Sequence, residues 1–175
     1  MKVPHDPNEL IAVVDENDNI IGKYPRKNHA GGRPHREASV LIVNPKNEIL
    51  VQERADDGKL DYSASGHFPY KEDYLEGAVR EVEEEIGIKI NNSKFVKISK
   101  RRAKYFGDYV NDRFITLFEV RGDYRIEDIQ IDPAEVKSVR YYSAEELRRV
   151  MKAEPKRISQ GFAESLEIYF ETRGI

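Results

Sequence analysis

The chain contains no cysteine, so disulfide bridges, thiol nucleophiles and thiolate-bound zinc are excluded, in keeping with a reducing compartment. Long hydrophobic runs are missing as well. The longest, Leu10–Val14, has five residues, whereas a membrane-spanning helix needs about 20. The opening MKVPHDPNEL holds no apolar signal region. A surplus of one charge sign is also absent: 29 basic against 32 acidic residues leave a net charge of −3. No overall field therefore draws the protein to nucleic acid or to an anionic membrane. Nor is there an internal repeat, a low-complexity tract or a linker-like stretch that would divide the chain. The expectation is one soluble, cytoplasmic domain over residues 1–175, with 1–9 as a flexible N-terminal segment and enough length for a sizeable core.

The segments that are present alternate between strand and helix signals. Leu10–Val14 and Ile20–Tyr24 flank DENDN, and Ser39–Val43 and Ile49–Gln52 flank NPKNE; both pairs predict hairpins. Asp56-Asp57-Gly58 marks a loop before a short segment at Asp61–Ser65. Phe95–Ile98, Phe114–Val120 and Val136–Tyr142 read as further strands. Ser143-Ala144-Glu145-Glu146 is a capping box that opens a helix to about Met151. Ser159 can cap a last helix with Phe162, Leu166, Tyr169 and Phe170 on its buried stripe. The pattern predicts an α/β (α+β) class, a mixed sheet packed between helices.

One stretch carries chemistry. Residues 66–88 read GHFPYKEDYLEGAVREVEEEIGI. Leu75, Ala78, Val79, Val82 and Ile86 recur at helical spacing and predict a helix from Asp73 to Ile86, with Gly87 as its C-cap. Glu81, Glu84 and Glu85 share an adjacent stripe of that helix. Like charges at this spacing cost about 0.2–0.5 kcal/mol a pair, and the last helical turn disfavours negative charge. The arrangement is locally unfavourable on both counts unless a cation resolves it. Three carboxylates suit a hard, oxygen-seeking ion such as Mg²⁺ or Mn²⁺. A solvated acidic face is the ordinary meaning of a glutamate run, but it does not account for the fixed spacing to Gly66 and Glu72.

That spacing is Gly66, five residues, Glu72, seven residues, then Arg80-Glu81-Val82-Glu83-Glu84-Glu85-Ile86-Gly87-Ile88. It resembles, without a mismatch, the signature of the Nudix hydrolases. Seven fixed identities put chance on the order of one in a billion per starting position. The resemblance implies an α/β/α sandwich and a pyrophosphohydrolase that uses Mg²⁺ or Mn²⁺. It implies that Glu81, Glu84 and Glu85 are metal ligands, joined by the backbone carbonyl at or near Gly66. Either Glu81 or Glu84 would be the base. Arg80 and Glu72 are expected to form an ion pair that pins the Gly66–Lys71 loop onto the helix. Some members recruit a further carboxylate from a later loop, for which Asp108 and Asp112 are the candidates.

Looser matches over residues 10 to 145 are similar to the branch that contains type I isopentenyl diphosphate isomerase. They comprise His35-Arg36, Leu50-Val51-Gln52-Glu53-Arg54 and Leu60-Asp61-Tyr62-Ser63-Ala64-Ser65-Gly66-His67. The isomerase uses a cysteine where this chain has Ser65, and acidic residues where it has Asn111, Asp112 and Arg113. The expectation is thus a hydrolase and not an isomerase. His29, His35 and His67 fall in the order of that relative's metal-binding histidines, so a second Mn²⁺ or Zn²⁺ site completed by Asp112 is one reading; pocket-lining histidines are the other. Arg54, Lys59 and His67 are the expected substrate-binding residues. Lys97, Lys100, Arg101, Arg102 and Lys104 form the one concentrated basic stretch. It is read as a solvated strand or loop, with a phosphate or RNA platform using Tyr105 and Phe106 as the sharper alternative.

Three functions follow: hydrolysis of a nucleoside diphosphate derivative, hydrolysis of an isoprenoid diphosphate, or a non-catalytic nucleotide- or RNA-binding module. The first leads, because a pure binder has no reason to keep repelling carboxylates together. The expected partner is a small-molecule diphosphate, without membrane or nucleic acid, and homodimers are common in the family.

Overall fold

Alternation along β3 (His35–Val43) sends Ala38, Val40 and Ile42 into one hydrophobic cluster and Leu41 and Val43 into another. A strand apolar on both sides has to be covered on both sides, and β3 lies in the middle of the sheet. The computed structural model, which describes residues 6–28, 31–107 and 110–175, places β3 parallel to β8 (Val110–Arg121), with His35 opposite Arg113 and Val43 opposite Arg121. The other pairings are antiparallel. β7 (Phe95–Phe106) lies outside β8, β6 (Ala64–Gly66) pairs with β3, and β4 (Ile49–Arg54) is flanked by β5 (Leu60–Asp61) and β9 (Val136–Tyr142). The mixed sheet expected from the sequence is present. A separate hairpin, β1 (Leu10–Val14) with β2 (Ile20–Pro25), packs Ala12 and Val14 against Phe114.

Helix α1 (Tyr74–Ile86) covers one face, burying Ala78, Val82 and Ile86 completely. Burial of a valine or isoleucine contributes about 1.5–3 kcal/mol, which outweighs repulsion of a few tenths of a kilocalorie between neighbouring glutamates. Packing therefore keeps the acidic turn helical. Its ends are fixed locally. Asp73 accepts from the Glu76 N–H while the Glu76 carboxylate accepts from the Asp73 N–H, each at 2.8 Å. Gly87 takes the left-handed conformation at φ 69° that closes the helix.

On the other face, α2 (Ala144–Ala153) and α3 (Gln160–Arg173) bury Leu147, Phe162, Leu166, Tyr169 and Phe170 against Leu41, Val43, Val51 and Leu117. The capping boxes at Asp73 and Ser143 and the cap at Ser159 all form. Several boundaries differ from the sequence reading: β3 and β8 each begin four residues earlier than expected, and β4 and α2 each end two residues later. Phe95–Ile98 is the start of a strand that runs to Phe106, because its polar half is paired along β8. Asp61–Ser65 is broken into β5 and β6, since the Ser63 hydroxyl bridges the Leu50 carbonyl and the Ile42 N–H. Among the described residues no helix is long and apolar enough to cross a membrane.

Candidate active site

β6 ends at Gly66 directly beneath α1, and this contact creates the site. A Cβ at position 66 would lie 2.5 Å from Oε2 of Glu81, so glycine lets the strand backbone pass beside that carboxylate where any side chain would push it aside. Glu81 is fully buried and Glu85 nearly so; the Glu84 side chain is 16% exposed. Glu85 Oε2 accepts the Ser65 N–H at 3.3 Å. Glu81 Oε2 is buried with no hydrogen-bond partner.

Arg80 gathers the rest. Its Nε donates to Glu72 at 3.1 Å, Nη1 to Glu84 at 2.6 Å, and Nη2 to Glu81 at 2.9 Å and to the His67 carbonyl at 3.1 Å. The guanidinium thus ties the loop after Gly66 to the helix through one fork. Burial pushes the Glu81 carboxyl up to about 7, against the pull of Arg80. Burial and then the charge of Glu81 raise Glu85 well above the usual carboxylate range. Two buried carboxylates, one with an unmet oxygen, form a donor set that favours either protons or a hard cation. Among the described residues no three His, Asp or Glu side chains converge closely enough to hold an ion as they stand, because Glu81 and Glu84 are turned onto Arg80. The residues fit Mg²⁺ or Mn²⁺ by chemistry, and holding one requires these two carboxylates to turn from the guanidinium to the ion.

A cavity of about 400 Å³ opens beside Gly66, between the first residues of β3 and β8 and the start of α3. A smaller one of about 170 Å³ shares Arg54, Ser65 and Glu135 with it and reaches Glu85. Of the expected substrate-binding residues, Arg54 and His67 line the larger cavity. Lys59 lines neither and pairs with Asp57 at 3.0 Å. Arg54 is itself held by Asp56 at 2.6 Å and Asp61 at 3.1 Å.

The histidine reading is partly corrected. The His35 and His67 rings stand 4.7 Å apart, while His29 lies outside the described residues, as does Asp108. Asp112 does not complete a site with them. It neighbours Arg113, which faces the cavity, so alternation turns it to the opposite side of the sheet. There it takes two hydrogen bonds of 2.8 Å from Arg102, with Lys104 at 3.6 Å. The basic stretch is a strand, as expected, but not simply a solvated one. Lys100 bonds Asp18, Arg101 bonds Glu164 at 2.9 Å, and Tyr105 donates to Glu164 at 2.7 Å. Its cations are largely neutralised in place, which removes the basis for a phosphate platform.

The sequence reading missed Glu135, Glu37, Asp61 and Arg113. Glu135 lines both cavities, and its charge is among those raising Glu85. It is a carboxylate from a later loop that lies at the site where Asp112 does not; Asp108 lies outside the described residues. No local pattern marks Glu135, since it reaches the site only through pairing of β9 with β4.

The chain is 31% identical over 173 residues to isopentenyl-diphosphate delta-isomerase 2 of Homo sapiens, covering 85% of this chain and 75% of that one. It is 29% identical over 164 residues to a prenyl-diphosphate phosphatase of Methanosarcina mazei, covering 90% and 92%. A crystal structure from Deinococcus radiodurans superposes with a TM-score of 0.70 at 22% identity over 91% of this chain and 98% of that one. The NUDIX domain model matches residues 33–162. With the glutamate helix, the glycine beneath it and this match over most of its length, the chain belongs to the Nudix family.

Proposed function

We propose that this protein is a metal-dependent hydrolase that cleaves the diphosphate linkage of a nucleoside diphosphate derivative. The observation that carries the reading is the Glu81 carboxylate, wedged over Gly66 with one oxygen unpartnered and its titration pushed up to about 7. Burying such a group in its charged form has a cost that a cation at that oxygen recovers.

A diphosphate resists water because its own oxygens repel a nucleophile. Mg²⁺ or Mn²⁺ held by Glu81, Glu84, Glu85 and the Gly66 carbonyl would neutralise those oxygens and lower the pKa of a bound water. The chain supplies the remainder. Arg80 and Glu72 fix the Gly66–Lys71 loop against the helix, which sets where the carbonyl of Gly66 points. Arg54, oriented by Asp56 and Asp61, presents its guanidinium at the cavity wall beside Ser65. Glu81 and Glu84 are the two groups available to receive the proton of the attacking water. Glu135 adds negative charge next to Glu85, which strengthens the pull on a cation.

The test is turnover with Mg²⁺ or Mn²⁺ on ADP-ribose, dinucleotides, oxidised nucleotides, coenzyme A and isopentenyl diphosphate, with Glu84→Gln as control. Metal-dependent release of a phosphorylated product that falls at least about a hundredfold in the control is expected. No turnover on any member would favour a binding module; full activity in the control would remove the assigned site. The second reading, an isoprenoid diphosphate substrate, is supported by the likeness to the Methanosarcina mazei phosphatase over 90% of this chain.

A further inference from the structure

The hairpin of β1 and β2 lies ahead of the residues matched by the NUDIX domain model, which begin at 33. It nevertheless grips the loop that precedes the glutamate helix. The Leu10 carbonyl accepts the Tyr70 N–H at 2.9 Å, and Ile11 forms an antiparallel bridge with Pro69. Tyr70 and Tyr74 pack against the small cluster of Ala12, Val14 and Phe114. Asp18, in the hairpin turn, secures this contact. Its buried carboxylate accepts from Arg36 Nε at 2.8 Å, from the Tyr74 hydroxyl at 3.0 Å and from Lys100 Nζ. Arg36 Nη2 also donates to the Asp18 backbone carbonyl at 2.6 Å. The hairpin, β3, β7 and the first residue of α1 thus meet on one side chain.

Tyr74 passes that constraint to the loop. Its ring centroid lies 5.3 Å from the Arg36 guanidinium and 4.8 Å from Lys100 Nζ. The same ring meets Phe68 edge-on, with centroids 5.2 Å apart. Phe68 is buried and fills the space over Gly77, where a Cβ would lie 2.6 Å from its ring. Between the end of β6 at Gly66 and the start of α1 at Tyr74 the chain has neither helix nor strand ladder. The position of such a loop is set by what it leans on.

We propose that Asp18 is a positioning residue of the active site, holding the Gly66–Lys71 loop from the hairpin side through Tyr74 and Phe68. Arg80 holds the same loop from the helix side, through Glu72 and the His67 carbonyl. The consequence for metal rests on the hydrolase reading above, in which the Gly66 carbonyl is a ligand. Displacing a group of the site by about 1 Å costs on the order of a hundredfold, so a loop freed on one side offers that carbonyl poorly. Asp18 itself touches neither the glutamates nor the cavity lining.

The experiment compares wild type, Asp18→Asn and Tyr74→Phe. Val150→Ala, in α2 on the other face of the sheet, controls for lost stability alone. Asparagine tolerates the left-handed backbone of residue 18, at φ 63°, so the turn is kept. Its amide offers one acceptor oxygen to three converging donors. Tyr74→Phe removes only a hydroxyl and serves as the milder probe should Asp18→Asn fail to fold.

Hydrogen exchange over residues 66–73 in the metal-free protein should quicken about tenfold in Asp18→Asn and about threefold in Tyr74→Phe, and stay unchanged in Val150→Ala. The calorimetric Kd for Mn²⁺ should rise about tenfold in Asp18→Asn. On the panel substrate turned over fastest, kcat should fall by about the same factor with KM within about twofold. Loop exchange equal to wild type in both variants would overturn the proposal. So would faster exchange with unchanged Mn²⁺ affinity, which would make Asp18 merely structural. A wild type that takes up no Mn²⁺ would remove the hydrolase reading, while the exchange comparison, which needs no metal, would still decide whether Asp18 holds the loop.

Discussion

Gly66 and Glu81 stand so close that the strand backbone and the carboxylate occupy the space any side chain at position 66 would need, with a Cβ 2.5–2.9 Å from three carboxyl atoms. Gly66→Ala must therefore push the Glu81 carboxylate aside. Displacing a catalytic group by about 1 Å costs on the order of a hundredfold in rate. The group displaced is the end of a side chain, so the loss of stability should be the smaller effect, about 1 kcal/mol. Measuring kcat/KM beside the thermal midpoint checks this; unfolding without a selective loss of activity would contradict it.

Arg80 pairs with three carboxylates at once. Its removal leaves Glu81 and Glu84 facing each other without compensation, which should destabilise the protein by about 3 kcal/mol. Mg²⁺ should then recover more stability in Arg80→Ala than in wild type, because it would replace the lost positive charge. Denaturant titrations with and without excess Mg²⁺ give both numbers. Equal metal-induced shifts in the two proteins would refute the compensation.

The pH dependence has a definite sign. Glu81 titrates at about 7 in the folded protein, above the ordinary 4.5, and Glu85 is also raised. The folded state therefore binds more protons than the unfolded chain between these values, so this contribution to stability is full below 4.5 and is lost as pH rises through about 7. Metal binding must expel those protons, so affinity for Mn²⁺ should rise with pH by up to about tenfold per unit for each proton displaced. Calorimetry in buffers of different ionisation enthalpy reads the released protons directly. A pH-independent affinity would show that the carboxylates are already ionised.

Phe162 is fully buried and rests against Tyr62 with ring centroids 5.1 Å apart. Tyr62 lines the larger cavity and donates its hydroxyl to the Gly161 carbonyl at 2.7 Å. Phe162→Ala should cost about 3–5 kcal/mol. It should also raise KM more than it lowers kcat, since it loosens the cavity wall and leaves the glutamate helix untouched. Thermal unfolding together with steady-state kinetics tests both parts.

Much of the architecture was legible locally. Asp73, Ser143, Ser159 and Gly87 mark helix ends by bonds to groups within four residues, and such bonds form wherever the chain goes. The β3–β4 and β1–β2 hairpins follow from their turns for the same reason. The stripe of Glu81, Glu84 and Glu85 needs only the helical repeat. Where the reading failed, the deciding partner was distant. Asp112 looked available from its loop-like surroundings, but β7 lies beside β8 and brings Arg102 to it. Lys59 looked free for phosphate until the turn at Gly58 placed it on Asp57.

The sequence alone determined the glutamate helix, its caps, the glycine ahead of it and the class of fold, because each rests on spacing along one segment. Tertiary structure decided what surrounds that helix. Only the parallel pairing of β3 with β8 sets Arg113 against Glu37, and only the return of β9 along β4 carries Glu135 to Glu85. Burial gives those charges their strength, and burial is a property of the packed sheet and helices, not of any stretch of chain.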